Sequence, residues 1–304
     1  MDFKKIRKSI SRFSGWLGLI ACSLIIKVLP WSWLYGFANF IAGIGFRVAG
    51  KQRRIAMESL AVAFRDELTE AERSQIARQC FEFMAKSAVE LLYLMDKPWV
   101  LRSRVRIEGG EHLEEALAKK QGVILVSAHF GNFPLLLGRL SIEGYTAGGI
   151  MRPMRDSRVE RFFFKKRQRL GVKTIYSQPR QTCVDETIKA LRNNELVFIP
   201  IDQNFGTCGV FFDFFGTKAA TATGPAVLAM RTGAAVLPCF IVRQPDNTHV
   251  LFFEPAMSVG RGRESVVETI QKLTSIIERY IRTYPAEWGW IHRRWKSRPG
   301  EEPA

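Results

Sequence analysis

Metal-binding and disulfide patterns are missing from this chain. Its five cysteines, Cys22, Cys80, Cys183, Cys208 and Cys239, form no Cys-x-x-Cys pair. That excludes the usual zinc spacing and offers no disulfide framework. They read as buried, reduced thiols, which suits the cytoplasmic side of a membrane better than an oxidising compartment. Internal repeats and low-complexity tracts are absent, and so is any helix-turn-helix, finger or RNA-binding signature. A nucleic-acid binder would therefore rest on charge alone. Acidic residues are outnumbered, 29 against 45 basic ones, for a formal net charge of +16. Histidine is scarce as well, with four in 304 residues.

What is present is a globular composition, 47% hydrophobic and 24% charged, with room for one large α/β domain. The basic residues gather in "KKIRKSISR" at the start, "MRPMRDSRVERFFFKKRQR" in the middle and "HRRWKSR" near the end. Spread evenly they would only solubilise the surface. Clustered, they point to polyanions: lipid headgroups, phosphorylated substrates or an acidic protein.

Behind the first basic cluster the chain is apolar from Phe13 to Phe46, with Lys27 as its one charge. Gly15–Ile26 is short for a span, which needs about 20 residues, and Val28–Phe46 carries Pro30, Ser32 and Asn39. "LIAC" at Leu19–Cys22 resembles a lipoprotein cleavage box, but the apolar "SLIIKVLPWSWLYGF" behind it argues against a released protein. A single transmembrane helix, a helical hairpin lying in one leaflet and two buried core helices all fit the pattern. Positive charge on both flanks and Trp16, Trp31, Trp33 and Tyr35 favour a membrane anchor over residues 1–50 with both ends on the cytoplasmic side. Residues 51–304 then form the body.

Thr69 stands three residues ahead of Glu72, a capping-box spacing that opens a long helical pattern. Beyond it, strands are expected at Val105–Glu108, Val123–Ser127, Ala147–Ile150, Lys173–Tyr176, Leu196–Ile201, Ala235–Val242 and His249–Glu254. Helices are expected at His112–Lys120, Pro134–Ile142, Ser157–Leu170, Cys183–Asn193, Pro225–Thr232 and Glu264–Thr283. This alternation predicts an α/β fold: a central, mostly parallel sheet flanked by helices. Ligands bind such sheets at the carboxyl ends of the strands, where His129, Arg152 and Asp202 all fall.

Imidazole titrates near neutrality and suits proton abstraction from a hydroxyl, provided a neighbour fixes its tautomer. His129, in "SAHFGNFP", is either such a base or a satisfied, half-buried residue. Gly131 permits close backbone approach, and amides at the following helix start could hold an anion. Of the remaining histidines, His112 begins an amphipathic helix, His249 starts an edge-like strand and His292 sits in a basic aromatic segment. A second polar strand end, Asp202-Gln203, leads into a glycine-rich loop with Phe205, Phe211, Phe212, Phe214 and Phe215, and then a helix capped by Thr221 or Thr223. Those phenylalanines either line an apolar pocket, face lipid or fill the core.

"SAHFGNFPLL", "MRPMRD", "IPIDQNFG", "VFFDFFGTKAATATGPAVLAMRTGAAVLP" and "YPAEWGWIHRRWKSRP" resemble the bacterial lipid A biosynthesis acyltransferases, the late lauroyl- and myristoyl-transferring family, over nearly the whole chain. The resemblance implies a glycerolipid-acyltransferase-like fold. It also implies transfer of a fatty acyl group from a thioester, on acyl carrier protein or coenzyme A, to a hydroxyl of a lipid A precursor at the cytoplasmic face of the inner membrane. No cofactor, metal, nucleic acid or obligate protein partner is implied.

The family signature is His, four residues, then Asp or Glu, and here the acid position holds Pro134. Proline cannot orient an imidazole. Either the chain is a degenerate member or another acid takes the role. Asp202 stands at the end of a strand expected to neighbour that of His129, in a motif whose acid the resemblance places in the active site. It is expected to hold His129, with Asn132 a weaker substitute and the amides of Gly131 and Asn132 as oxyanion donors. Arg152 is expected on a phosphate, with Arg155 and Gln203 near the substrate. Arg155, Arg158, Lys165, Lys166, Arg167 and Arg169 form a basic band for an acidic carrier or anionic headgroups. The rival reading is a non-catalytic membrane-bound lipid or carrier-protein binder that has lost its acid; another acceptor lipid is the second alternative.

Overall fold

Strand register brings the chemistry of this chain together. In the computed structural model, which describes residues 3–206 and 209–300, seven strands form one sheet. They are β1 (Val105–Glu108), β2 (Val123–Ser127), β3 (Ala147–Met151), β4 (Lys173–Tyr176), β5 (Leu196–Pro200), β8 (Ala235–Arg243) and β9 (His249–Phe253). Their order across the sheet is β1-β9-β8-β2-β5-β3-β4. All pair in parallel except β8 with β9, an antiparallel hairpin. The helices are α1 (Phe3–Val28), α2 (Trp31–Val48), α3 (Gly50–Phe64), α4 (Glu70–Leu94), α5 (Pro98–Arg104), α6 (Gly110–Ala118), α7 (Phe133–Ile142), α8 (Ser157–Arg169), α9 (Arg180–Arg192), α10 (Gly224–Thr232) and α11 (Arg263–Thr283).

Strand β2 is buried along its whole length, as a central parallel strand covered on both faces must be. Alternation divides its side chains between two cores. Val123 and Leu125 pack with α5, α6 and α7; Ile124 and Val126 pack with α3, α4, α9, α10 and α11. Helix α4 starts as its sequence foretells. The Thr69 hydroxyl accepts from the Glu72 N–H at 3.3 Å, and the Glu72 carboxylate accepts from the Thr69 N–H at 2.7 Å.

Four expectations need correction. The "VFFDFFGTKAAT" stretch is not a loop but an antiparallel hairpin, β6 (Val210–Phe214) with β7 (Thr217–Thr221). Its Phe212, Phe214 and Phe215 are buried in the core, with Phe214 edge-on to Trp288 and Phe215 to Phe64. Thr221 belongs to β7, and Thr223 precedes α10 without a side-chain capping bond. His249 is no edge residue, because β9 lies between β1 and β8. Finally, the basic band is partly neutralised: Lys166 is buried on Asp96, Arg158 pairs with Asp156 and Arg167 with Glu160. Cys208 lies outside the described residues, as do the side chains of Lys4, Lys5 and Lys8. Cys80, Cys183 and Cys239 are buried free thiols.

Helix α1 contains Ser9–Val28, twenty residues long and apolar enough to cross a membrane by length and composition. It touches the body at α4, where Ile26 packs in one cluster with Val89 and Leu92, and at α8, where Trp16 meets Phe162 edge-on at 6.1 Å and Arg158 covers the Phe13 ring. Pro30 separates it from α2, which buries Leu34, Ala38 and Ala42. On the other sides of these two helices Leu24, Val28, Trp33, Phe40 and Val48 stand exposed.

Candidate active site

Ser127 ends β2 and pairs with Pro200, which ends β5. Two residues beyond each lie His129 and Asp202, so in-register parallel pairing delivers both to the same point past the sheet. His129 Nδ1 and Asp202 Oδ1 are 2.8 Å apart. The second carboxylate oxygen, Oδ2, accepts from the Trp288 indole N–H at 2.8 Å. An isolated bridge between Phe130 and Trp288 carries the Trp288 segment to this place.

The electrostatics follow from burial and pairing. Asp202 is 3% exposed, which by itself would raise its pKa. The charge and hydrogen bond of His129 and the indole donor outweigh that and bring it to about 2. His129, 35% exposed at the side chain, feels the reverse balance. Burial pulls its pKa down, but the charge and hydrogen bond of Asp202 leave it raised. Because Nδ1 faces a carboxylate, the proton of the neutral ring belongs on Nδ1. Nε2 is then the free base.

A cavity of about 330 Å³ opens beside this pair. That is near the lower end for ligand pockets, about 300–1,000 Å³. Its apolar wall comes from Phe83, Met84 and Leu91 of α4 with Phe133 and Ile291, and its polar groups include Gln203, Glu287 and His292. The loop phenylalanines read as pocket candidates are not part of this wall.

Gly131 serves the loop rather than a ligand. Its φ is +61°, and a Cβ there would lie 1.8 Å from the Ile241 carbonyl oxygen. Its N–H donates to the Glu287 carbonyl oxygen at 2.9 Å, so it is not free for an oxyanion. Among the described residues the Asn132 side chain makes no hydrogen bond to His129. It is 2% exposed, and its amide donates to Glu90 Oε2 at 2.9 Å and to the Ser87 carbonyl at 3.2 Å. Arg152 and Arg155 are exposed beyond the end of β3, on the same sheet edge as the pair but outside the cavity wall. Gln203 is at the wall, its carbonyl oxygen accepting from Arg294 at 3.0 Å.

Several residues here escaped the sequence reading. Glu90, 1% exposed in α4, accepts from Tyr35 of α2 and from Asn132 and Arg243, and its Oε2 lies 3.1 Å from His249 Nε2. Burial alone would raise its pKa, but the His249 and Arg243 interactions hold it at about 2. Glu287 goes the other way. Burial, reinforced by the Glu90 charge, lifts it to about 8 against the opposing pull of Arg243. Glu287 and Trp288 lie beside His292 in "YPAEWGWIHRRWK", a run singled out in the sequence for its basic aromatic character and its family resemblance but without a role for these residues. Glu90 had no such signal, sitting in an ordinary helical pattern.

Likeness to known proteins bears on this arrangement. A sequence model of the bacterial lipid A biosynthesis acyltransferase family matches residues 1–297. The chain is 25% identical over 297 residues to the lipid A biosynthesis lauroyltransferase of Escherichia coli (strain K12), covering 95% of this chain and 93% of that one. It is 28% identical over 291 residues to the palmitoleoyltransferase of the same organism, covering 93% and 91%. A phosphatidylinositol mannoside acyltransferase of Mycobacterium tuberculosis is 28% identical over 194 residues, 62% of this chain and 60% of its own.

Proposed function

The chain belongs to the bacterial lipid A biosynthesis acyltransferases and is an O-acyltransferase, and on that premise we propose that His129 is its general base and Asp202 the group that orients it. The acceptor hydroxyl of a lipid A precursor gives its proton to His129 Nε2 as its oxygen attacks the carbonyl carbon of an acyl thioester. When the tetrahedral adduct collapses, the C–S bond breaks and the thiolate leaves with the proton from His129. Asp202, buried and ionised, stabilises the imidazolium between these steps. Among the described residues no serine or cysteine is hydrogen-bonded to His129, which favours direct transfer over an acyl-enzyme.

The observation that carries this reading is the 2.8 Å contact between His129 Nδ1 and Asp202 Oδ1. It answers the loss of the signature acid at Pro134, because the orienting carboxylate comes from the next strand. It also argues against a retired, binding-only site.

Acyl carrier protein is the proposed donor, favoured by the exposed Arg155, Arg161 and Lys165 on and before α8. Arg152, on the same sheet edge, is assigned a phosphate of the acceptor. The exposed apolar sides of α1 and α2 face lipid, with the body on the cytoplasmic face of the inner membrane where basic flanks belong.

The test is acyl transfer by detergent-purified protein. Acyl carrier protein or coenzyme A carrying several chain lengths would be offered with a tetra-acylated lipid A precursor or phosphatidylinositol mannoside, and products read by mass spectrometry. A new ester on the lipid A precursor that disappears with His129→Ala supports the proposal. Esterification of the mannoside alone would move the acceptor to that second class of glycolipid, a class named for one of the relatives. Product from His129→Ala at the wild-type rate would rule out the base.

A further inference from the structure

Acyl transfer places a negative charge on the thioester carbonyl oxygen, and that charge needs a hydrogen-bond donor fixed in advance. The Gly131 amide, the natural candidate next to His129, is already bonded to Glu287. Of the two amides expected there only that of Asn132 is left, and a second donor facing the same cavity would share the charge with it.

His292 lines that cavity together with His129 and Asp202. Its Nε2 lies 2.9 Å from the backbone N–H of Asn204, two residues after Asp202. A backbone N–H can only donate, so Nε2 must be the unprotonated acceptor. The one proton of the neutral ring then sits on Nδ1. Burial, with His129 and Arg294 nearby, keeps the ring neutral against the pull of Asp202. Nδ1 has no partner among the described residues, and it is not sealed in the interior as His249 Nδ1 is. The backbone that carries the ring is held at both ends. Its N–H donates to the Gly289 carbonyl at 3.1 Å, and its carbonyl accepts from the Arg294 N–H at 3.0 Å and the Ser59 hydroxyl at 3.3 Å. The result is a neutral imidazole with a determined tautomer on a hydrogen-bonded backbone, and its Nδ1 donor is unpartnered among the described residues in a side chain that lines the cavity.

We propose that His292 is a catalytic residue whose Nδ1–H donates to the thioester carbonyl oxygen in the transition state. This rests on the acyl-transfer reading above. The two histidines divide the work: the acceptor proton goes to His129 Nε2, and the carbonyl π pair moves onto the oxygen facing His292 Nδ1–H. On collapse the C=O bond reforms, the C–S bond breaks and the thiolate carries away the proton from His129. His292 keeps its proton throughout.

Two near-isosteric replacements separate this role from a structural one. His292→Asn sets an amide N–H close to the Nδ1 position and gives up the contact with Asn204. His292→Gln reaches the Nε2 position, where its carbonyl can accept from Asn204, and gives up the Nδ1 donor. The proposal expects kcat to fall about 10²–10³-fold in His292→Gln, with the KM for acyl donor little changed, and by about tenfold or less in His292→Asn. Slow hydrolysis of the thioester without acceptor lipid is expected to fall in parallel, since it passes through the same oxyanion. The opposite order, with Gln active and Asn impaired, would mean that His292 only holds Asn204, and overturns the proposal. Wild-type rates in both variants overturn it too. Absence of transfer by the wild-type chain itself overturns the acyl-transfer reading, and this inference with it. Should either variant fail to fold, ¹⁵N NMR of histidine-labelled wild-type protein decides: a charged or Nε2–H ring at neutral pH contradicts the proposal.

Discussion

Replacing Asp202 by Asn exchanges one carboxylate oxygen for an NH₂, and the surroundings dictate which way the new amide must face. Asp202 Oδ2 accepts from the Trp288 indole, which can only donate, and Trp288 is 1% exposed. An amide NH₂ turned towards that indole would set two buried donors against each other, at a cost of about 1–3 kcal/mol. The carbonyl oxygen of the introduced amide therefore stays on Trp288, and the NH₂ turns to His129. There it finds a donor unless His129 moves its proton from Nδ1 to Nε2. That shift leaves the ring neutral and well seated but with its base blocked. A base locked in the wrong tautomer costs about 10⁴-fold in kcat, or about 5.5 kcal/mol.

The assay is steady-state acyl transfer, with folding monitored by circular dichroism. A second change sharpens it: adding Trp288→Phe removes the indole, frees the introduced amide to flip, and is expected to restore about tenfold of the lost rate. The ionisation of His129 is expected to change as well. With the charge of Asp202 gone, only burial acts on the ring, so its pKa falls from above 6.5 to below it in an NMR titration. An Asp202→Asn enzyme within tenfold of wild type, or no recovery in the double variant, would refute the tautomer argument.

Other substitutions test the surroundings. Gly131→Ala forces a left-handed backbone, at about 1–2 kcal/mol, as well as a collision with the Ile241 carbonyl. Loss of activity together with a lowered thermal midpoint is expected. Glu90→Ala leaves Arg243 and His249 buried without their carboxylate and should cost about 3–5 kcal/mol in denaturant unfolding; a loss under about 1 kcal/mol would mean that the network is not acting as a unit. Glu287 has a folded pKa of about 8 against an ordinary 4.5, so the native state holds its proton more tightly. Stability is greatest below pH 4.5 on this account and declines as pH rises towards 8, by at most about 5 kcal/mol. Glu287→Gln should flatten that decline in thermal unfolding scans across the same pH window.

Elements that depend on local pattern were legible without coordinates. The capping box at Thr69, the buried run of β2 and the alternation of strands with helices are short-range signals, and they suffice for the fold class. Legibility failed where side-chain identity was the same for two environments. Phe212, Phe214 and Phe215 suit a pocket, a lipid face or a core equally well, and only packing against Phe64 and Trp288 decides for the core. Likewise, a count of lysines and arginines cannot see that Lys166 is buried against Asp96.

By itself the sequence determined the sheet, the apolar amino-terminal helix, the family and the two strand ends that carry His129 and Asp202. It also determined that the acid of the signature is missing at Pro134. Tertiary structure alone decided that Ser127 stands opposite Pro200, the register that brings the imidazole to its carboxylate. It alone decided that the Gly131 amide is already taken, and that His292, far along the chain from His129, turns to the same cavity. Register and long-range contacts arise from the fit of side chains between distant segments, and no local window of sequence contains that information.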